Sequence, residues 1–192
     1  MPDRDPSEIP TDDPRPADLR RAPSLVLVNT GPGKGKTSAA MGVVMRGVAR
    51  GWQVAVVQFL KSGTWRSGEE KICRRLDVDW WNTGEGFTWD SDDLDQDKGV
   101  AAAGWHIARE LISAGNHHLV VLDEVTYPLN WSWIDLDDAL DTIRDRPRHV
   151  NIVCTGRDAP DRLIEIADTV SEIRDVKHAY RAGFRAMKGI DF

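Results

Sequence analysis

Only two cysteines, Cys73 and Cys154, occur in the 192 residues, and neither sits in a CxxC or Cys/His spacing. That excludes a disulfide-built scaffold and a zinc site, and nothing points to an oxidising compartment. Cys154 lies in an apolar run and reads as a buried thiol. Cys73 sits on a helix-like stretch without a signature. The histidines, at 106, 117, 118, 149 and 178, show no metal-binding spacing and read as surface or hydrogen-bonding groups. No run approaches the ~18 apolar residues of a membrane span, and no apolar signal-peptide core opens the chain. The expectation is a cytoplasmic protein without membrane contact. Basic residues are also scarce, 25 against 31 acidic, for a net charge of -6. A protein built to hold nucleic acid usually carries the opposite balance, so nucleic acid is not an expected partner.

What is present fits one ordinary domain with some extra length. Residues 1–22 form a Pro- and Asp-rich tail, in which Pro2, Pro6, Pro10, Pro14 and Pro16 alternate with charges and only Ile9 and Leu19 are large and apolar. Such a stretch buries too little surface to offset its ordering entropy, so a flexible tail that could order over a ligand is expected. Residues 23–192 then alternate strand-like and helix-like segments. Ser24–Asn29, Gln53–Leu60, Leu119–Leu122 and Val150–Thr155 are apolar runs suited to strands buried on both faces, and Thr169–Arg174 reads as a last strand. Helices are expected over Lys36–Arg50, Asp97–Ala114, Leu136–Arg146 and Asp161–Ala167, the first two closed by Gly51 and Gly115. Alternation of this kind implies an α/β fold, a RecA-like parallel β-sheet with helices on both faces.

The run Thr30-Gly31-Pro32-Gly33-Lys34-Gly35-Lys36-Thr37 follows the first strand and opens the first helix. It meets the phosphate-loop pattern GxxxxGK[ST] at every position but the first, where Thr30 replaces glycine. Gly31, Gly33 and Gly35 let backbone N–H groups turn inward around a phosphate chain, and the helix start adds positive potential. Lys36 supplies a point charge and Thr37 a hydroxyl for Mg²⁺, with Ser38 beside it. Lys34 could touch phosphate or simply be solvated. Leu119–Glu124 is an apolar strand running into paired carboxylates, so Asp123 or Glu124 would organise Mg²⁺ together with Thr37. Arg157, in Thr155-Gly156-Arg157 after a strand, lies where such sheets line their ligand crevice. Arg46, on the helix leaving the loop, reads from helical geometry alone as a surface ion pair. ATP is the expected ligand.

Tryptophan is the unexpected excess, with eight, at positions 52, 65, 80, 81, 89, 105, 131 and 133. Trp65 and Trp89 fall in glycine-rich loops. Phe87 and Trp89, in Gly86-Phe87-Thr88-Trp89, would suit the face of a large flat ligand, although each taken singly also suits local packing.

With these pieces in order, the chain from about Leu25 to Phe192 resembles the P-loop ATP:corrinoid adenosyltransferases of cobalamin synthesis. The motifs that carry the resemblance are TGPGKGKTSAA at 30–40, VVQFLK at 56–61, GFTW at 86–89 and VVLDEVTY at 120–127. TGR at 155–157 and ADTVSEIRDVKHAYRAGFRAMKGID at 167–191 complete it. Thr30 is similar to that family's usual residue, so the departure from the generic loop strengthens the likeness. The resemblance implies transfer of the 5′-deoxyadenosyl group of ATP to the cobalt(I) of a reduced corrinoid, cobalamin or a precursor, with release of triphosphate. It further implies that Thr37 and Glu124 carry the metal, that Arg46 and Arg157 contact ATP, and that Phe87 and Trp89 lie under the corrin ring. A homodimer served by a flavoprotein electron donor is the implied assembly. Two other readings of the same residues remain at this point: a RecA-like ATPase or small-molecule kinase that makes ADP, and a nucleotide-gated binding module.

Overall fold

The computed structural model describes residues 18–62, 67–84 and 94–191, together with Ile9, Thr11 and Pro16. The chain runs β1 (Val26–Thr30), α1 (Lys36–Ala49), β2 (Val54–Ser62), α2 (Gly68–Arg75), β3 (Asp79–Gly84), α3 (Leu94–Ala114) and β4 (Leu119–Asp123). It continues with α4 (Thr126–Asn130), α5 (Leu136–Arg144), β5 (Asn151–Thr155), α6 (Asp161–Ile166), β6 (Thr169–Glu172) and a single 3₁₀ turn at Ala179–Ala182. The six strands form one sheet in the order β3-β2-β4-β5-β1-β6. Every pairing is parallel.

The apolar runs build two cores because side chains alternate across a strand. On β2, Val54 and Val56 join one core with Ala40, Met41 and Val44 of α1 and Cys73 of α2. Ala55, Val57 and Phe59 of the same strand join the other, with Trp105, Ala108 and Ile112 of α3, Ala139, Leu140 and Ile143 of α5, and Leu163 of α6. Helices therefore cover both faces, as the alternation of elements predicts. Local signals fix the helix ends. Ser67 and Asp135 cap α2 and α5, each side chain accepting from the backbone N–H three residues on, and Gly51 and Gly115 take positive φ after α1 and α3.

Three expectations need correction. Among the described residues the sheet has six strands rather than the five expected; the additional one is β3, where Trp80, Trp81 and Asn82 at the centre form no continuous apolar run and which lies at the sheet edge beside β2. Helix α3 begins at Leu94 rather than Asp97, and α5 ends at Arg144 rather than Arg146, whose guanidinium instead donates to the carbonyls of Ile143 and Val150. Helix α4 follows directly on the acidic end of β4 and was not anticipated.

Gly104 sets how closely α3 lies on β3: a Cβ built there would fall 2.4 Å from Thr83 Oγ1 and 2.6 Å from Thr83 Cβ. Gly99, on the same helix, has no atom within 4 Å of the equivalent point. Gly104→Ala is therefore expected to destabilise by about 1–3 kcal/mol through overpacking. Gly99→Ala is expected to stabilise by up to about 1 kcal/mol through helix propensity alone. Urea denaturation of the two variants checks the opposite signs; equal shifts would refute the close approach.

Candidate active site

Where β1 ends, the chain turns through the phosphate loop into α1. Gly31 and Gly35 take φ values of 96° and 117°, a region that penalises any side chain. Gly31 and Gly33 are also crowded from outside: a Cβ on either would lie within 2.7 Å of the Ile173 carbonyl oxygen, and at Gly33 equally close to that of Arg174. The loop thus rests on the backbone just past β6, where the Gly33 N–H donates to Ile173 O at 2.7 Å and Ile173 N–H to Thr30 O at 2.8 Å. Lys36 is only 8% exposed. Its Nζ donates to the carbonyls of Gly31 (2.9 Å) and Gly33 (2.7 Å), so the ammonium is held in the curl of its own loop. Burial holds its pKa below the usual lysine value, only partly opposed by Glu124. The charge is thereby kept poorly solvated and available to a bound anion.

Thr30, the residue that breaks the generic loop pattern, has a structural use. Its hydroxyl accepts from the Ala159 N–H at 3.0 Å, tying β1 to the turn that carries Arg157. The same turn is held by Thr126, whose hydroxyl donates to Arg157 O at 2.6 Å.

At the end of β4 the two carboxylates have different environments. Asp123 is fully buried. Its Oδ1 accepts from Thr37 Oγ1 (2.8 Å) and Thr155 Oγ1 (2.7 Å), and its Oδ2 from Gln58 Nε2 (2.7 Å). Lys61 Nζ lies 4.0 Å from the same carboxylate. Asp123 therefore locks β1–α1, β2, β4 and β5 together at one point. Glu124 turns the other way. It has φ 63°, a left-handed conformation that costs a non-glycine residue on the order of 1 kcal/mol, and its N–H is fixed by Thr155 Oγ1. That turn sends it into the cleft, where burial first and Asp123 second raise its pKa above the ordinary carboxylate range.

The cleft so formed lies over the carboxyl ends of β1, β2 and β4. Its walls are the loop from Gly33 to Ser38, Lys61 and Ser67, Glu69, Glu124, Tyr127, Arg157, and His178, Ile190 and Asp191 from beyond β6. Four cations, Lys34, Lys36, Lys61 and Arg157, converge there, which suits a polyphosphate. Of the residues singled out from the sequence, Gly33, Lys34, Gly35, Lys36, Thr37, Ser38, Glu124 and Arg157 are brought together here. Asp123 lies directly behind Thr37. Gly31 shapes the loop from beneath, and Pro32 is exposed on its outer side. Arg46 is not brought in: it is exposed in the last turn of α1, ten residues and about 15 Å along the helix from Lys36. Within this chain Arg46 lies on the surface away from the cleft, and among the described residues no ion pair is seen for it. Phe87, Trp89 and Trp65 lie outside the described residues.

The sequence reading missed Lys61, Tyr127, Glu69 and the residues from beyond β6. Lys61 was legible, since it ends VVQFLK at the carboxyl edge of a strand, the rule that singled out Arg157. Tyr127 heads an aromatic row, its ring 5.6 Å from Trp131, which is 4.8 Å from Trp133.

Residues 22–192 match the family described as ATP:corrinoid adenosyltransferase BtuR/CobO/CobP. The chain is 43% identical over 178 residues to the corrinoid adenosyltransferase of Pseudomonas aeruginosa, spanning 92% of this chain and 87% of that one. It is 37% identical over 180 residues to the corrinoid adenosyltransferase of Escherichia coli K12, spanning 94% and 91%. A corrinoid adenosyltransferase from Sinorhizobium is 38% identical over 172 residues, 88% and 80% of the two chains. With a phosphate loop, an acidic strand end and a cationic cleft in the matched region, this chain belongs to the ATP:corrinoid adenosyltransferase family.

Proposed function

We propose that the cleft binds ATP with its triphosphate along the loop from Gly33 to Ser38 and delivers the 5′-deoxyadenosyl group to the cobalt(I) of a reduced corrinoid. The observation that carries this reading is the convergence of Lys34, Lys36, Lys61 and Arg157 on one cleft at the phosphate loop. The electron pair of cobalt(I) forms the cobalt–carbon bond at C5′. The C5′–O bond breaks, its electrons leave on triphosphate, and no proton moves. The protein's task is then to stabilise charge collecting on the leaving group and to hold C5′ in line. Lys36 and Arg157 serve the first need, with the inward N–H groups of the loop.

The donor set at the end of β4 suits Mg²⁺. Thr37, Asp123 and Glu124 offer hard oxygen ligands, the kind this ion takes alongside phosphate oxygens and water. Among the described residues no cluster of three or more His, Cys, Asp or Glu side chains forms a cage of its own. Mg²⁺ bound there would neutralise charge on the triphosphate. Thr37 and Glu124 are the residues that would hold it, with Asp123 fixing the Thr37 hydroxyl. Phe87 and Trp89 are assigned to the lower face of the corrin ring, on the family resemblance; an apolar face there removes an axial donor and makes cobalt(II) easier to reduce. A flavoprotein supplies the electron in this reading, and the working assembly is a homodimer in the cytoplasm. No helix among the described residues is long and apolar enough to cross a membrane.

Anaerobic incubation with Mg-ATP and chemically reduced cobalamin tests the reaction: triphosphate and a light-sensitive alkylcobalamin are expected, and ADP with phosphate alone would overturn it. Trp89→Ala should lower activity with cobalt(II) and a flavoprotein reductase about tenfold or more beyond any loss with preformed cobalt(I). Equal losses in the two assays would remove Trp89 from the lower face.

A further inference from the structure

Residues 173–191 leave the sheet at the phosphate loop and return to it. At the near end, Ile173 exchanges backbone hydrogen bonds with Thr30 and Gly33. At the far end, Asp191 Oδ1 meets Lys34 Nζ at 2.7 Å, while Asp191 Oδ2 accepts from the Met187 N–H at 2.7 Å. Between these anchors the polar contacts are internal: the 3₁₀ turn over Ala179–Ala182, the Arg181–Asp175 ion pair, and a turn closing on Met187. Among the described residues, no other hydrogen bond or ion pair ties the segment to the domain. Val176, Tyr180 and Phe184 are 86%, 78% and 66% exposed. The strap is thus fastened at its far end by one partly exposed ion pair, worth little in water.

That ion pair lies in the cleft itself. His178, Ile190 and Asp191 share the wall with Lys34, Lys36 and Thr37, and the space left is about 260 Å³, just under the roughly 300–1,000 Å³ of ordinary ligand sites. The Lys34 hydrogen bond also holds the Asp191 carboxyl below its usual pKa, so it stays anionic. An anion already sits on a loop lysine.

We infer that Asp191 is an internal competitor of the phosphate chain: residues 173–191 form a strap whose carboxylate occupies Lys34 until a polyphosphate displaces it, and reoccupies Lys34 as triphosphate departs. This rests on the triphosphate reading of the cleft. It matters for turnover, because the product carries more negative charge than the esterified chain of ATP and would otherwise leave slowly. A carboxylate ready to take back Lys34 shortens its stay.

Calorimetric titration with inorganic triphosphate and Mg²⁺ tests it. Asp191→Asn should bind triphosphate about two- to fivefold tighter than the parent chain, Lys34→Ala more weakly, and in the Lys34→Ala background Asp191→Asn should change nothing. Limited trypsin digestion gives a reading without substitutions: added triphosphate should speed cleavage at Lys177, Arg181, Arg185 and Lys188. Unchanged or weaker binding by Asp191→Asn would overturn the inference, as would slower cleavage with ligand, which is the behaviour of a closing lid. An Asp191→Asn effect that persists without Lys34 would overturn exchange at that lysine. If the parent chain binds no triphosphate, the phosphate reading of the cleft falls, and this inference with it.

Discussion

Lys36→Ala is expected to cut adenosyl transfer by about 100- to 1,000-fold while the chain stays folded. The size follows from what the ammonium does. A charge fixed in advance beside a developing anion is worth roughly 3–4 kcal/mol of barrier, and Lys36 is fixed by two loop carbonyls at 2.9 and 2.7 Å. Burial adds to its effect by removing the water that would screen it. The fold should survive because the Gly33 carbonyl borders the cleft, where water can take the place of the missing ammonium, which leaves the buried Gly31 carbonyl as the one acceptor lost. Lys36→Arg should not restore activity, since a planar guanidinium cannot sit inside a curl sized for a compact ammonium. Single-turnover kinetics with preformed cobalt(I), beside a thermal melt, decide the matter. A loss of less than tenfold would mean that the loop's N–H groups carry the leaving group without it.

Asp123→Ala should behave differently, losing activity and stability together. Three buried or half-buried donors, from Thr37, Thr155 and Gln58, converge on that carboxylate. Leaving them without a partner costs about 1–3 kcal/mol each in the worst case. Thr37 borders the cleft and can turn to water, so a total near 3–5 kcal/mol is expected, or about 10 °C in Tm for a domain of this length. Asp123→Asn separates the two roles. It keeps the acceptor for the hydroxyls, and the Gln58 amide can turn over to meet its NH₂ group, so stability should change by about 1–2 kcal/mol at most. Its charge is gone, however, and Mg²⁺-dependent turnover should still fall about 100-fold. Thermal melts and Mg²⁺ titrations on both variants read this out. Full activity in the Asn variant would show that Asp123 is only a structural lock.

The parts of the molecule legible in the sequence share a physical cause. β1, β2, β4 and β5 are each largely buried on both faces, so each appears as a mostly apolar run, and the phosphate loop must follow β1 directly because its glycines work by backbone shape. β3 escaped notice because an edge strand carries mixed side chains, and its Glu70–Asn82–Trp80 hydrogen bonds satisfy polar groups that look like loop chemistry in a string of letters. Lys61 and Arg157 are equivalent in position, each at or just past the carboxyl end of a strand, so both are within reach of the same strand-end rule. His178 and Asp191 were beyond local reading of any kind. They reach the cleft through a segment without regular periodicity, and the long motif at 167–191 marks that segment as shared with the family without saying where it lies. Arg46 marks the reverse limit. The family likeness put it on ATP, and in the chain it stands on the outer end of α1.

The contact between the phosphate loop and the backbone after β6 has a consequence for when this protein becomes competent during its own synthesis. Among the described residues β1 is paired by β5 and β6, and the Val26 N–H is bonded to the Asp168 carboxylate across 142 positions. A nascent chain that has emerged as far as β4 already contains every letter of the loop motif and of the acidic strand end. It still lacks both neighbours of β1 and the carbonyl of Ile173 that holds the Gly33 N–H. At ordinary elongation rates the wait is roughly 3 to 10 seconds. The most conspicuous nucleotide signature in the sequence is therefore translated well before it is completed, so a chain made only as far as β4 has no finished loop on which to take up ATP.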